Sequence, residues 1–258
     1  GVTVEELTQL ETEKGIWLVF DTLVKGKQTQ ELIQNIIETA LKRLPIAKRM
    51  RWGNNEVEFV RPIKWILLLS GNQTIDCEIM GIKSGNQTYG HRFHHPQPIT
   101  IKQADSYVET LKQNGKVLAD FSERQNLIQT QVEAIAKKNN GSAVIDPELL
   151  DEVTALVEWP VSFVGNFNPD FLRLPKEVLI ASMQDHQKYF PVLDKEGKLL
   201  ACFISVANIE SKEPDLIKQG NERVIQPRLS DAAFFWDRDL KNGLAKQIEG
   251  LKKVVYQK

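Results

Sequence analysis

Met183-Gln-Asp-His-Gln-Lys-Tyr-Phe-Pro-Val-Leu-Asp-Lys-Glu-Gly-Lys-Leu-Leu-Ala-Cys-Phe-Ile-Ser-Val-Ala-Asn-Ile209 is the stretch around which the chain is organised, and it predicts a helix end followed by a hairpin. Asp194-Lys-Glu-Gly197 predicts the tight turn, because Asp favours the first position and glycine adopts positive φ without steric cost. Leu199 to Ala207 is almost entirely apolar, which is typical of a strand buried on both faces. Pro191 cannot donate to a ladder, so the first strand is expected at a sheet edge or with a bulge.

The composition is that of an ordinary globular protein, with 41% hydrophobic and 26% charged residues in 258. The formal net charge of -1 provides no global positive field, so any site for a polyanion must be a local patch. Two cysteines, Cys77 and Cys202, lie in apolar runs, which favours a reducing compartment. No apolar run is long enough to span a bilayer, and there is neither a signal-peptide pattern nor an initial Met. These features predict an internal fragment of a longer cytoplasmic protein.

The first hundred residues are predicted to be rich in strands. Gly15–Val24 has the β-branched and aromatic residues that are typical of a strand. A helix is predicted after Thr29, which can cap it, because apolar residues recur beyond it at helical spacing. Between residues 57 and 93 the pattern indicates three or four further strands, and Gly71-Asn72 is a hairpin signal between two of them.

The rest of the chain is predicted to be mainly helical around the central hairpin. One helix is expected to begin at Asp120 or Ser122 and to end at Asn139-Asn140-Gly141. Another is expected at Asp146-Pro147, where an acidic cap precedes a proline in the first helical position. Further helices are predicted over Asp105–Gln113, Glu213–Ile225, Arg228–Trp236 and Leu240–Val255.

The order of these elements predicts an α+β fold with mixed and antiparallel sheets and packed helices, rather than strict βαβ alternation. The pattern divides the chain into a strand-rich part, residues 1–100, and a helix-rich part, residues 101–258, which contains the hairpin at 187–209. No internal repeat or Gly/Ser linker marks a domain boundary between them.

Tyr89-Gly-His-Arg-Phe-His-His-Pro96 is the most conspicuous polar cluster. His91, His94 and His95 are residues of a type that ligates zinc. Their spacing is not that of two histidines on one helical face, and no cysteine pair lies nearby, so no metal site is predicted. Two interpretations remain: the histidines hydrogen-bond backbone at the end of a strand, or they line, with Arg92, a polar surface that meets another molecule.

Two other groups of charged residues invite a functional interpretation. The first combines cations with a flat indole, which suits phosphate contact together with base stacking; a solvated loop with a partly buried tryptophan is the alternative. Its members are Lys48, Arg49, Arg51 and Trp52, and Arg61 extends it. The second runs from Glu222 to Asp239 with alternating sign, which favours a salt-bridged surface. No nucleophile is placed beside the Asp185-His186 pair, so no catalytic residue is predicted.

Eight short segments occur in order along the chain: Lys42–Gly53, Phe59–Pro62, Gly90–Phe93, Gly115–Asp120, Leu156–Pro160, Asp185–Pro191, Val206–Lys212 and Gly220–Phe235. Each is weak evidence alone, but together and in this order they are specific. The chain resembles, over essentially its whole length, the beta subunit of bacterial-type glycyl-tRNA synthetase.

The resemblance implies a division of labour. In that family the alpha subunit carries the class II active site, which binds ATP, Mg and glycine, and the beta subunit is mainly responsible for tRNA. The N-terminal half of the beta subunit is similar to the B3/B4 module of the phenylalanyl-tRNA synthetase beta chain. An HD-type helical domain and an anticodon-binding domain follow it. Residues 1–258 are therefore expected to be a B3/B4-like, non-catalytic fragment of a cytoplasmic heterotetramer, without a cofactor of its own.

Two roles follow from this resemblance, and a third is disfavoured. The first is a module that contacts tRNA(Gly) beside the alpha subunit; the second is a scaffold whose charges pair internally or face alpha and other beta domains. Hydrolytic editing is disfavoured because glycine is the smallest amino acid, so larger competitors are excluded sterically. The candidate tRNA-contacting residues are Lys48, Arg49, Arg51, Trp52, Arg61, His91, Arg92, Lys188, Arg223 and Arg228.

Overall fold

The computed structural model describes residues 2–54, 56–251 and 254, which divide into two compact units. The first unit is Gly1–Asn86 and the second unit is Gln87–Lys258. This boundary lies before residue 100, where the strand-rich part was predicted to end. The strand Gln87–Tyr89 belongs to the second unit, because it pairs with Pro98–Thr100 there.

The first unit consists of short strands and one helix. In chain order, after a 3₁₀ turn at Val4–Glu6, they are β1 (Thr8–Thr12), β2 (Gly15–Val19), α1 (Thr29–Arg43), β3 (Met50–Arg51), β4 (Glu58–Phe59), β5 (Ile66–Leu67), β6 (Leu69–Ser70), β7 (Gln73–Thr74), β8 (Glu78–Ile79) and β9 (Ile82–Gly85). The pairs β1–β2, β3–β4, β6–β7 and β8–β9 are antiparallel, whereas β5 and β9 run parallel.

Local signals predicted parts of this unit. The hairpin at Gly71-Asn72 is confirmed: β6 and β7 flank these two residues, and Gly71 has φ +59°. The predicted strand Gly15–Val24 ends at Val19. Thr29 is the first residue of α1 rather than its cap, and Gln28 precedes the helix without a capping side-chain bond.

The first unit contains few buried side chains. No residue of α1 is buried, although its apolar residues recur at helical spacing. Among the described residues of this unit, only Ile75 and Ile79 are buried hydrophobic side chains. The main hydrophobic core of the chain therefore belongs to the second unit.

The second unit is built on a four-stranded antiparallel sheet. Its elements are β10 (Gln87–Tyr89), β11 (Pro98–Thr100), α2 (Tyr107–Thr110), α3 (Phe121–Lys138), β12 (Ser142–Ala143), α4 (Pro147–Leu156), β13 (Val161–Asn166), α5 (Lys176–Gln187), β14 (Phe190–Leu193), β15 (Leu199–Ala207) and α6 (Pro214–Leu251). Short 3₁₀ turns lie at Ala104–Ser106 and Pro169–Arg173, and a π-helical segment, Leu111–Gly115, follows α2. The strand order in the sheet is β12-β14-β15-β13.

The predicted hairpin is present, with one correction. Strand β14 lies inside the sheet between β12 and β15, so the edge position predicted from Pro191 is wrong. The alternative prediction, a bulge, is confirmed by the register shift between Pro191 and Leu193. The turn also forms as predicted: the Asp194 carboxylate accepts from the backbone N–H groups of Glu196 and Lys198 at 2.8 and 2.9 Å, and Gly197 has φ +77°.

Strand β15 is covered by helices on both faces. On one side Ile204 joins a core formed with α3 and α4, including Ile128 and Val153. On the other side Phe203 joins a core formed with α5 and α6, including Leu229. Because neighbouring residues of a strand point to opposite faces, the apolar run in β15 supplies both cores. The second unit is therefore layered as helices, sheet and helices.

Two helix starts were predicted correctly, and the C-terminal helices were predicted as helical but with breaks in other places. The side chains of Asp120 and Asp146 cap α3 and α4, as predicted. The predicted helices before and after Pro227 form one helix, α6, because Ile225 and Leu229 are fully buried on either side of the proline. This packing offsets a cost of about 3 kcal/mol for an internal proline. The backbone leaves helical geometry at Gly243 instead, and the predicted end at Val255 lies outside the described residues.

A membrane-spanning role finds no support in these helices. Within the described residues, no helix combines the length and the apolar composition that are needed to cross a bilayer.

Gly165 provides a test of the packing between β13 and β15. A Cβ atom there would lie 2.8 and 2.9 Å from two ring carbons of Phe203, which itself stacks on Tyr189 with ring centroids 4.3 Å apart. We expect Gly165→Ala to lower the free energy of unfolding by about 1–3 kcal/mol, measured by urea denaturation. The control is Gly220→Ala in α6, where a Cβ meets no atom within 4 Å. It should raise stability by up to about 1 kcal/mol; equal effects would contradict the packing argument.

Tyr189 predicts a pH dependence of stability. Its hydroxyl donates to Asn221 Oδ1 at 2.7 Å, and burial raises the pKa of the phenol from 10.0 to about 12. Because the unfolded state ionises first, the stabilising contribution is complete below pH 10 and is lost as the pH rises from 10 to about 12. We expect Tyr189→Phe to reduce the loss of stability over this interval, measured as urea midpoints at both ends. If the urea midpoints of the two proteins fall by the same amount over this interval, Tyr189 is not the source of the pH dependence.

Candidate functional site

The first-unit candidates lie on two segments that run side by side. Strands β3 and β4 pair antiparallel with Arg51 opposite Glu58, which brings residues 48–52 next to residues 58–61. Arg51 Nε donates to Glu58 Oε1 at 2.9 Å, and both side chains are exposed. An exposed ion pair of this kind contributes little to stability, about 0–1 kcal/mol, so it does not hold the guanidinium firmly. We call residues 48–61 the basic hairpin.

The other residues of the basic hairpin differ in their burial and in the hydrogen bonds and ion pairs that they form. Arg49 donates from Nη2 to the carbonyl oxygens of Leu41 and Lys42, at 3.4 and 3.5 Å, near the end of α1. Trp52 is half-buried, as the alternative interpretation of a partly buried indole expected. Lys48 and Arg61 are exposed and form no ion pair with any other described residue. These two cations are the ones of the group that no carboxylate or carbonyl group of the described residues engages.

In the second unit the two arginines of α6 do not share a face. Arg223 and Arg228 are both exposed, but five positions along a helix correspond to a rotation of about 140°. Viewed down the helix axis, the buried residues Ile225 and Leu229 lie in the wider arc between the two arginines. The two side chains therefore flank the buried stripe on opposite sides, and a single phosphate strand along one flank of α6 reaches only one of them.

Lys188 has a structural role at the end of α5. It adopts a left-handed conformation with φ +58°, and its N–H donates to the Gln184 carbonyl at 3.3 Å. Its ammonium lies 2.9 Å from the Glu152 carboxylate. The charge that the sequence offered to RNA is thus partly neutralised by a neighbouring acid.

His91 is enclosed rather than displayed. Only 2% of the residue is exposed, and its Nε2 lies 2.6 Å from the carbonyl oxygen of Asn208. A carbonyl only accepts, so Nε2 carries the proton and Nδ1 is the acceptor. Nδ1 receives the backbone N–H groups of Phe93 and His94, at 3.3 and 3.4 Å. With both nitrogens engaged, the expectation that His91 contacts RNA is corrected: burial removes it from the accessible candidates.

The rest of the histidine cluster follows the backbone-bonding interpretation. His94 Nε2 accepts the N–H of Glu210 at 3.0 Å, and the rings of His91 and His94 lie 4.7 Å apart. In the described part of the chain, no group of three or more His, Cys, Asp or Glu residues is arranged to hold a metal ion. The histidines connect the end of β10 to the segment after β15.

Four of the eight segments that carried the resemblance meet at one place in the second unit, which we call the motif junction. They are Gly90–Phe93, Gly115–Asp120, Leu156–Pro160 and Val206–Lys212. The backbone N–H of His91 donates to the Gly115 carbonyl at 2.6 Å, and that of Leu118 to the Glu158 carbonyl at 2.9 Å. Asn208 joins the fourth segment to Leu156–Pro160, because its Oδ1 accepts the N–H groups of Glu158 and Trp159 at 2.7 and 2.9 Å.

Two further interactions stabilise the motif junction: a close approach of two backbone segments and the contacts of one lysine. A Cβ atom on Gly90 would lie 2.5 Å from the Gly115 carbonyl oxygen, so only glycine allows this approach. The Lys116 ammonium lies 4.8 Å from the Trp159 ring centroid and 3.8 Å from the Glu210 carboxylate. No local sequence signal predicts this network, because Asn208 lies far along the chain from His91, whose Nε2 bonds to its carbonyl oxygen.

An open cavity of about 410 Å³ adjoins the motif junction. It is lined by His91, Arg92, Phe93, Glu158, Asn208 and Ile209. Arg92 is exposed and forms no ion pair within the described chain, so it remains an accessible candidate. Phe93 and Glu158, which the candidate list did not include, share this cavity with it.

Comparison with known proteins gives one consistent result. A family model described as glycyl-tRNA synthetase beta subunit matches residues 1–258. Proteins named glycine–tRNA ligase beta subunit are 55% identical over 257 residues in Hahella chejuensis and 52% identical over 258 residues in Marinobacter nauticus. A third, from Colwellia psychrerythraea, is 49% identical over 258 residues. Each match covers 100% of this chain and 37% of the relative, so the chain spans little more than a third of the relatives' length.

Asn208 allows a test of the motif junction. We expect Asn208→Ala to lower the free energy of unfolding by roughly 1–3 kcal/mol, because the N–H groups of Glu158 and Trp159 lose their acceptor. The matched control is Asn126→Ala on the exposed side of α3, which should change stability by less than about 0.5 kcal/mol. Urea denaturation measures both. Equal stability of the two variants would show that the junction does not depend on this side chain.

Proposed function

The chain belongs to the glycyl-tRNA synthetase beta subunit family, and from that premise we propose that it helps to bind and position tRNA(Gly) during aminoacylation. The observation that carries the proposal is a set of exposed cations without ion pairs to described residues, in a chain whose net charge is -1. They are Lys48, Arg61, Arg92, Arg223 and Arg228. Such cations suit phosphate oxygens, which position a nucleic acid without reading its sequence.

Glycine activation would belong to an alpha subunit in this proposal. That partner would supply a class II site for ATP, Mg and glycine, and the present chain would act without a cofactor or a catalytic residue of its own. The assembly would be a cytoplasmic heterotetramer, in which other beta domains follow this one. The layered α+β arrangement of the second unit is consistent with a B3/B4-like module, which is the fold that we propose for this region.

A scaffold role without RNA contact is the second candidate, and exposed apolar side chains favour it. On α6 the rings of Phe234 and Phe235 are 61% and 56% exposed, and on α1 Leu32 and Ile36 are also exposed. Such surfaces suit packing against another domain or subunit. Hydrolytic editing is a weaker candidate, because both nitrogens of His91, the buried histidine beside the cavity, are already engaged.

Salt dependence separates RNA contact from a scaffold. We expect Lys48→Ala/Arg61→Ala, in the full-length beta subunit assembled with alpha, to weaken tRNA(Gly) binding. The slope of log K against log salt should fall by up to about two, because each phosphate contact contributes about 0.9. Filter binding at several salt concentrations measures this. Glycine-dependent ATP chemistry should persist, because it belongs to alpha.

The matched control is Lys102→Ala/Lys195→Ala, which removes two exposed cations outside the candidate set. It should leave the slope close to that of the unaltered enzyme. Arg51→Ala should have an intermediate effect, because Glu58 competes for that guanidinium. A slope that none of the candidate substitutions changes, including Arg92→Ala and Arg223→Ala, would favour the scaffold.

A further inference from the structure

The cavity beside the motif junction has a rigid aromatic rim. The turn after His91 is held by its own hydrogen bonds: the N–H of His95 donates to the His91 carbonyl at 2.8 Å, and two further N–H groups donate to His91 Nδ1. Phe93 lies within this turn and is 74% exposed. The hydrogen bonds hold the backbone of Phe93 in this turn, and its largely exposed ring lines the cavity with a flat apolar face.

Two opposite charges line the same cavity without neutralising each other. Arg92 and Glu158 both belong to its wall, yet no ion pair joins them or links either to another described residue. The backbone of Glu158 is fixed at both polar atoms, since its N–H donates to Asn208 and its carbonyl accepts from Leu118. The carboxylate thus extends from an immobile backbone and keeps its acceptor oxygens available.

We propose that this cavity binds one unpaired nucleotide, with its base stacked on Phe93, its phosphate on Arg92 and its amino edge on Glu158. Aromatic stacking beside a cation is the usual way in which proteins hold single-stranded nucleic acid. A volume of about 410 Å³ is in the range of small-ligand sites. The inference deepens the proposed function and rests on it, because the nucleotide would belong to the bound tRNA.

The carboxylate gives the site a base preference. An ionised carboxylate only accepts hydrogen bonds, so it pairs with the exocyclic amino group of cytosine, which donates. Uracil presents a carbonyl oxygen at the same position, and two acceptors repel each other. The site should therefore hold cytidine more tightly than uridine, whereas stacking on Phe93 contributes to both.

The test uses the assembled enzyme with full-length beta subunit and two fluorescent probes, the tetranucleotides of cytidine and of uridine. We expect Phe93→Leu to weaken binding of both probes about tenfold, because the stacking face is lost while apolar bulk is kept. Phe93→Trp retains a ring and should bind as the unaltered enzyme does. Glu158→Gln should remove most of the preference for cytidine, because an amide can also donate.

Three results would overturn the site: unchanged affinity in Phe93→Leu, no preference between the probes in the unaltered enzyme, or no binding of either probe. Because Phe93 is exposed, its variants should unfold at the same temperature as the parent. Measured unfolding temperatures that are equal exclude misfolding as the cause of weaker binding. The proposed tRNA role fails separately. Phe93→Leu removes no charge, and Lys48 and Arg61 do not line the cavity, so the salt slope of Lys48→Ala/Arg61→Ala tests the tRNA role independently of this nucleotide site.

Discussion

The arrangement of the second unit depends on one constraint: β15 must be apolar on both faces, because helices cover both. Phe203 and Ile204 are both fully buried, and they point into different cores. A polar residue at either position would lie in a core without a partner, at a cost of several kcal/mol. Gly165 on the neighbouring strand shows how closely this layer is packed, since the Phe203 ring occupies the space that a side chain at position 165 would need. The cores fix the sheet, and the sheet fixes where the segments at its ends emerge.

The motif junction uses that fixed frame differently, because polar groups rather than apolar ones hold it together. Asn208 lies just beyond β15 and bonds to two other segments, one through its side chain and one through its carbonyl. Hydrogen bonds have defined directions, so they set the position of a loop more narrowly than apolar packing does. This accounts for a turn whose aromatic residue is exposed and yet held in place. Function can then reside in the loop, while stability resides in the sheet and its helices.

Sequence reasoning succeeded where the signal is local and failed where distant residues decide. The caps at Asp120 and Asp146 and the turn at Asp194 to Gly197 are properties of a few adjacent residues, and all three were predictable. Pro191 predicted an edge or a bulge, and the local signal could not decide between them; the structure has the bulge, inside the sheet. The continuous helix through Pro227 follows from the burial of its neighbours, which outweighs local propensity. Beside the cavity, Arg92 is exposed and stays a prediction. The sequence left two interpretations open for His91, and its burial could not be foreseen because it depends on the distant Asn208.

The distribution of accessible charge bears on where the proposed contact with RNA would lie in a chain of net charge -1. Arg51 and Lys188 each form an ion pair with an acidic residue. The two arginines of α6 point in directions about 140° apart. Strand pairing instead brings the cations of the basic hairpin together, which favours that hairpin for the proposed phosphate contacts in the first unit. The cavity at the motif junction offers a different interaction, because stacking and hydrogen bonding to a base depend weakly on salt. Each base held by stacking would add affinity that counterions do not screen, in addition to the contribution of the exposed cations.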